Sequence, residues 1–384
     1  MFRDRAALKN FRKLENFMRL IVTGGGSGGH IYPAIAIADK IKEMEPDSEI
    51  LYIGNEVGLE NEIVPKAGYN IKLVDSMWLD RSNPLQMFKT AFVNYRGVRQ
   101  ALKIMKKFKP DVVVGTGGFV CVPVVIAGSR YGARCYIHEQ NAYPGMANRL
   151  LERNVKKVFM GFPEAGNYFK YPEKHITAGN PVRKSFYQAD RAEARRKLGI
   201  AEKDFVIFTF GGSQGAQTIN SLAFDILKKY NGEEGVLQIF GTGNFQKETL
   251  EEMAEKAGIK IQSNVWIKTY IENMPDYLAA SDVIISRAGA LSVAEITMCG
   301  RASILIPSPN VTGNHQYFNA KSVADKGGAI LVEEKDINPE EIIAKLEELR
   351  ENGEELAEIM KASYACAPVH ATDIIYAEIK KDER

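Results

Sequence analysis

Short apolar runs alternate with longer stretches of helical periodicity along the chain, the pattern of parallel strands joined by crossover helices. The runs Leu20–Thr23, Ile50–Ile53, Val112–Val114, Cys135–His138 and Val158–Met160 predict one series of strands. A second series is predicted at Phe205–Phe210, Val236–Phe240, Val265–Lys268, Val283–Ser286 and Ser303–Ile306. Each series opens with a strand that runs into glycines, Ile21-Val22-Thr23-Gly24-Gly25-Gly26 and Ile207-Phe208-Thr209-Phe210-Gly211-Gly212. The expected class is therefore α/β, in two similarly built halves rather than one large sheet. Asn180-Pro181 falls between them, where proline holds its predecessor extended, and the polar stretch through Arg196 and Lys197 suits a linker and a first helix. The acidic stretch from Glu333 to Glu358 carries Leu346, Leu349 and Leu356 on one helical face and reads as a solvated amphipathic helix.

Composition narrows the function classes. The chain has 384 residues, enough for two or three domains, and no apolar run approaches the roughly 20 residues that span a bilayer. Fifty basic against 48 acidic side chains argue against nucleic-acid binding through bulk charge. Cys121, Cys135, Cys299 and Cys366 form no C-x-x-C pair, and the five histidines are scattered, so no metal site and no cofactor are expected and a reducing cytoplasm fits. Residues 1–17 are basic and mixed and lack the apolar core of about 7–15 residues that a secretory signal needs. They are expected to be an extension ahead of Met18, which leads straight into a strand.

The loop Gly24-Gly25-Gly26-Ser27-Gly28-Gly29-His30 follows a strand and precedes the helical pattern Ile31–Ile41. It places bare backbone at a helix N-terminus, where N–H groups and the dipole favour phosphate. Gly24-x-Gly26-x-x-Gly29 formally matches the dinucleotide fingerprint, but the second strand ends at Ile53-Gly54-Asn55, without the expected ribose-binding acid, and Glu56 comes late. His30 stands where a P-loop would carry lysine. Gly115-Thr116-Gly117-Gly118 and Gly211-Gly212-Ser213-Gln214-Gly215 repeat the device, and Ser286-Arg287-Ala288-Gly289-Ala290-Leu291 makes a fourth strand-to-helix turn. Ligand crevices of open parallel sheets lie at such carboxyl ends, so two facing halves would enclose one cleft. Glu295, early in the following helix, suits a vicinal diol such as a ribose, with an ordinary helix-start glutamate as the alternative.

Six ordered motifs carry a family resemblance: Gly24–His30, Gly115–Phe119, His138-Glu139-Gln140-Asn141, Gly179-Asn180-Pro181-Val182-Arg183, Gly211–Ala216 and Ala290–Glu295. Together they resemble the MurG family of peptidoglycan N-acetylglucosaminyltransferases, from Met18 to about residue 375. The resemblance implies a GT-B fold, two Rossmann-like parallel-sheet domains facing across a cleft. It implies residues 18–180 as an acceptor- and membrane-side domain, 181–362 as a UDP-sugar-binding domain, and 363–384 as a C-terminal helix packing back on the first domain. The implied reaction is inverting transfer of N-acetylglucosamine from UDP-N-acetylglucosamine to the 4-OH of undecaprenyl-pyrophosphoryl-N-acetylmuramoyl-pentapeptide, lipid I, giving lipid II. It further implies that Ser213 and its loop hold the UDP phosphate, Glu295 the ribose and the Ile271 backbone the uracil edge, with Arg183 near the nucleotide. Asn141 and Gln316 are implied to bond the sugar hydroxyls, with the helix start Ala290, Leu291, Ser292, Val293 and Ala294 and the loop Ser27, Gly28 and Gly29 completing the substrate site. Ser27 replaces the family's usual Thr, and Cys121-Val122 stands where a Ser-Gly pair is common.

An acceptor hydroxyl must lose its proton as it attacks the anomeric carbon, and His30 is the first candidate for the base, because a helix N-terminus favours the neutral imidazole. The alternatives are that His30 only bonds acceptor phosphate or caps its loop, with Glu139 or a water as base. Between Arg81 and Pro110 there is no acidic residue and there are eight basic ones, Arg81, Lys89, Arg96, Arg99, Lys103, Lys106, Lys107 and Lys109. Leu85, Phe88, Phe92 and Tyr95 recur at three- and four-residue spacing on the same stretch. An apolar face bordered by Lys89 and Arg96 is what a segment resting on an anionic membrane surface needs, and together with the resemblance it implies a peripheral location on the cytoplasmic face of the cell membrane. A nucleic-acid patch and a core helix with a charged rim are the competing readings. A sugar-nucleotide epimerase of the same fold would share the UDP site without needing this segment, and a nicotinamide dehydrogenase lacks its ribose acid.

Overall fold

The computed structural model describes residues 17–78, 84–212, 215–243 and 249–382, with the side chains of Pro84, Leu85 and Thr312 left aside. Residues 1–16 of the expected extension, Arg81 and Ser213 lie outside the described residues.

The β-branched runs form the middle of two all-parallel sheets. In the first half β1 (Arg19–Thr23), β2 (Glu49–Gly54), β3 (Asn70–Leu73), β4 (Val112–Gly115), β5 (Arg134–Glu139), β6 (Lys157–Met160) and β7 (His175–Thr177) lie in the order β3-β2-β1-β4-β5-β6-β7. In the second, β8 (Phe205–Phe210), β9 (Val236–Gly241), β10 (Val265–Lys268), β11 (Val283–Ser286), β12 (Ala302–Leu305) and β13 (Ile330–Leu331) lie in the order β10-β9-β8-β11-β12-β13. Central strands of such sheets are covered on both faces, so they read as continuous apolar runs. Ile21 and Val113 pack into one core layer of the first half, and Leu20, Val22, Val112 and Val114 into the layer on the opposite face. The second half divides likewise, Val206, Phe208 and Phe210 facing one layer and Phe205 and Ile207 the other.

The chain ends on the first half. Helix Ala371–Lys381 packs against helix Gly28–Met44, and its Ile375 and Ile379 are buried in the layer built on Leu20 and Val22. Lys40 pairs with Asp373 (2.6 Å), Lys380 with Glu45 (2.8 Å), and the Tyr136 hydroxyl donates to Asp382 (2.8 Å). The acidic stretch forms helices Pro339–Glu351 and Gly353–Ala365, with Ile342, Leu346 and Leu349 buried against the second sheet.

Three strands were not predicted, β3, β7 and β13, and all three are edge strands. Their residues are half-buried or exposed; β3 and β7 carry no apolar run, and β13 sits in the short run Ala329-Ile330-Leu331-Val332, of which only two residues pair in the sheet. Topology also gathers the glycine turns. The strand order reverses between β1 and β4 in one sheet and between β8 and β11 in the other, and ligand crevices open at such reversals. The four glycine-bearing turns follow these four strands.

Candidate active site in the cleft between the halves

One pocket is lined from both halves. Gly28, Gly29 and Tyr32 come from the helix after β1; Phe210 ends β8 and Gly212 follows it; Gly241 ends β9 and Gly243 follows it; Thr269, Tyr270, Ile271, Glu272 and Met274 follow β10; Leu291, Ser292 and Glu295 come from the helix after β11. Arg183, on the crossing between the sheets, completes the lining. Two helix N-termini from opposite sheets thus open on one space, each presenting backbone N–H groups and the positive end of its dipole.

Of the two carboxylates that line this pocket, Glu272 and Glu295, Glu295 is the one beside Arg183. Burial pushes its pKa up to about 7, against the pull of the Arg183 guanidinium, which stands 3.9 Å away. Arg183 itself is flanked by aromatic faces, Tyr32 at 4.8 Å and Phe186 at 5.1 Å. Its buried Nε has no hydrogen-bond partner among the described residues. A cation held by rings and left with an unmet donor is suited to an anionic ligand.

His30 sits in the first turn of helix Gly28–Met44, next to the Gly28-Gly29 wall. Its Nδ1 lies 3.1 Å from the Thr116 carbonyl and 3.1 Å from Gln140 Oε1. The ring lies on Gly117, where φ is +110° and an added Cβ would come within 2.5 Å of Nδ1, so both the backbone conformation and the space require glycine. Cys121 ties the same loops together through the Thr23 and Gly117 carbonyls (3.1 and 2.9 Å); burial pushes its thiol up to about 12, so it stays protonated and donates.

The fate of the remaining predicted residues varies. Leu291, Ser292, Ile271, Gly28 and Gly29 reach the pocket, whereas Ala290, Val293 and Ala294 are buried in the core layer beneath and can offer only backbone. Ser27 is the exposed N-cap residue of its helix. Gln316 stands outside this lining, its Oε1 accepting from the Ser308 N–H (2.9 Å). Asn141 accepts from Asn319 (3.2 Å) and donates to Glu139 (3.1 Å). Glu139 is fully buried and accepts four bonds, from the Asn141 N–H and amide, the Gly145 N–H and the Asn148 amide. Those donors fill both of its oxygens, so it orders a loop and presents no lone pair to a substrate hydroxyl.

Sequence reasoning missed Tyr32 and Tyr270 in the lining, and two polar side chains beneath it. Asn319, fully buried, donates to Ala288 of the second half and accepts from the Ala142 N–H of the first (3.1 and 2.9 Å), so it joins the halves at the cleft. Glu60, buried under the first glycine loop, accepts from the Gly26 N–H (3.3 Å) and the Asn55 N–H (3.1 Å). Asn319 lies in the stretch 314–320 that carries Gln316, which was its one available signal; nothing near Glu60 in sequence announced it.

The basic apolar stretch forms helix Pro84–Phe108, and Phe88 (78% exposed), Phe92 (62%) and Tyr95 (54%) face outward rather than into a core. Trp78, 61% exposed, joins them from the segment before the helix. That segment is pinned along the helix by Asn94, which bonds both the N–H and the carbonyl of Met77 (3.1 Å each), by Thr90 to the Trp78 carbonyl (3.2 Å), and by the Arg96–Asp75 pair (3.0 Å). Arg96 is thereby partly neutralised, while Lys89 is exposed beside Phe88. No described helix is long and apolar enough to cross a membrane.

Known proteins resemble this arrangement along its length. The chain is 41% identical over 363 residues, 94% of this chain and 98% of the relative, to the UDP-N-acetylglucosamine–N-acetylmuramyl-(pentapeptide) pyrophosphoryl-undecaprenol N-acetylglucosamine transferase of Alkaliphilus oremlandii. The crystal structure of Acinetobacter baumannii MurG superposes with a TM-score of 0.73 at 27% identity, over 95% of this chain and 99% of that one. The UDP-GlcNAc 2-epimerase of Neisseria meningitidis, solved with UDP-GlcNAc, superposes at 0.69 but at 14% identity, over 95% and 100% of the two chains, and so shares the fold alone. Residues 20–160 match the glycosyltransferase family 28 N-terminal domain and residues 206–375 its C-terminal domain. With both domains matched in order across the two sheets, the chain belongs to glycosyltransferase family 28 and has the GT-B arrangement of facing parallel-sheet domains.

Proposed function

We propose that this enzyme transfers N-acetylglucosamine from UDP-N-acetylglucosamine, with inversion, to the 4-OH of the N-acetylmuramoyl group of lipid I, forming lipid II at the cytoplasmic face of the membrane. The observation that carries the reading is the pocket between two helix N-termini, with Glu295 and Arg183 on its second-half side and His30 just beyond its first-half wall. The names of the relatives support the choice of donor and acceptor.

In this reading the loop at Ser213 takes the diphosphate, Ala290 and Leu291 offer backbone to the sugar, Glu295 accepts from the ribose hydroxyls, and the Ile271 backbone meets the uracil. Arg183 supplies positive charge beside the nucleotide, and Asn141 and Gln316 orient the sugar. The acceptor 4-OH attacks the anomeric carbon from the first-half side while the bond from that carbon to the diphosphate oxygen breaks. The electron pair leaves with UDP, and the hydroxyl proton passes to His30 Nε2. Incubation with labelled UDP-N-acetylglucosamine and a lipid I analogue is expected to move label into the lipid product; an epimerised sugar nucleotide, or no reaction, would overturn the proposal.

The outward aromatics and Lys89 support docking on anionic lipid. Replacing Phe88 and Phe92 with Ser is expected to weaken vesicle binding at every salt concentration. Lys89→Glu should weaken it at low salt only, because screening already reduces the attraction of a cation, about 1 kcal/mol at most, as ionic strength rises. Donor affinity should be untouched in both. Sedimentation with anionic and neutral vesicles across a salt series checks this, and no preference of the unaltered protein for anionic vesicles at low salt would remove the membrane role.

A further inference from the structure

The imidazole of His30 is one end of a buried chain of hydrogen bonds whose direction is fixed from the far end. His138 is fully buried, and its Nε2 lies 2.9 Å from the Gly179 carbonyl. A carbonyl only accepts, so Nε2 carries the hydrogen and His138 Nδ1 bears a lone pair. Burial lowers the His138 pKa to about 4, which keeps the ring neutral and that lone pair available. Gln140 Nε2 meets it at 3.0 Å and also donates to the Thr116 carbonyl at 2.7 Å. Turning the Gln140 amide over would set its oxygen against the Thr116 carbonyl and the His138 lone pair, three acceptors with no hydrogen among them. Its Oε1 therefore faces His30 Nδ1 at 3.1 Å, with the Thr116 carbonyl at 3.1 Å from the same nitrogen. Two acceptors converge on Nδ1 and no donor does.

We infer that Gln140 and His138 are positioning residues that hold His30 in the Nδ1–H tautomer, leaving the lone pair on Nε2, the nitrogen on the opposite edge of the ring. The inference rests on the reading of His30 as the base and adds what makes it one: a neutral imidazole with the hydrogen on Nε2 has no lone pair to offer an acceptor hydroxyl. When Nε2 takes the proton, Nδ1–H still points at two oxygens, which favours the imidazolium as it forms. The same bonds fix the ring plane over Gly117, so the chain sets both tautomer and aim.

The test reads the tautomer directly and apart from turnover. With only five histidines in the chain, nitrogen NMR of protein carrying labelled histidine, assigned with His30→Ala, resolves each ring. At alkaline pH the His30 ring is expected to show a protonated Nδ1 and an unprotonated Nε2. In Gln140→Met, which keeps the volume and removes both amide functions, the ring should redistribute between tautomers. Its kcat should fall at least about tenfold, within the loss a misdirected base can cause, with donor KM unchanged. An Nε2–H ring in the unaltered protein, or an unmoved tautomer in Gln140→Met, would overturn the inference; because the first readout needs no variant, a Gln140 change that fails to fold leaves it decidable. If the tautomer behaves as expected but His30→Ala transfers sugar at the normal rate, the relay stands and the assignment of His30 as base falls.

Discussion

His30→Ala is expected to lower turnover at least about 100-fold while leaving the KM for UDP-N-acetylglucosamine within about twofold. A sugar hydroxyl is a weak nucleophile near neutral pH, and a positioned base contributes about 10² to 10⁴ in rate. His30 stands outside the residues that line the pocket, so its removal should act on the chemical step and not on donor binding. A bracing role predicts a different result, because His30 also holds the Thr116 and Gln140 groups beneath the loops. Loss of the brace alone would loosen the glycine turns and raise KM or lower the melting temperature with kcat little changed. Steady-state kinetics with UDP calorimetry separate the two, and a near-normal kcat would end the claim for His30.

Glu295 is expected to exchange stability for affinity. Truncation to alanine removes charge-assisted bonds of about 1.5–3 kcal/mol, so donor affinity should drop roughly 10- to 100-fold. The pH dependence follows from the carboxyl being raised from 4.5 to about 7 by burial. Below about 7 the empty site holds a proton, and a protonated carboxyl is a poorer acceptor for two hydroxyls, so affinity for UDP-N-acetylglucosamine should decline as pH falls through that value. The donor's phosphates are both esterified and do not titrate there. Stability runs the other way. Between pH 4.5 and 7 the folded state retains the proton that the unfolded chain has lost, so stability falls as pH rises through this window and stays reduced above it, by about 3 kcal/mol. Glu295→Gln should therefore melt higher than the unaltered protein at pH 8, with the gap closing near pH 5, and should bind donor weakly at both. Equal melting temperatures at pH 8, or a pH-independent donor affinity in the unaltered protein, would show that the carboxyl is not desolvated in the cleft.

How far the sequence reached depended on the range over which each feature is encoded. The central strands were legible because burial on both faces demands unbroken β-branched and aromatic runs, as in Val112–Val114 and Phe205–Phe210. Edge strands β3, β7 and β13 meet no such demand: β3 and β7 left no run to read, and β13 only the four residues Ala329-Ile330-Leu331-Val332. Each glycine turn was visible alone, since close backbone approach and positive φ leave few other residues possible, as at Gly117.

Sequence by itself determined the α/β class, the two glycine-led halves, the four turns and the amphipathic basic helix, all of them patterns within a few residues of one another. Only the tertiary structure decided which polar groups meet. Glu139 and Glu295 are both acids in prominent motifs, yet one is filled by four neighbouring donors and the other opens on the cleft beside Arg183. The partners of His30 lie 86 and 110 residues away, and Asn319 reaches Asn141 across 178. Such pairings have no period and no spacing. They arise because the strand order brings the four turns to two reversals, and because a buried polar atom must find its partner among whatever groups folding delivers there.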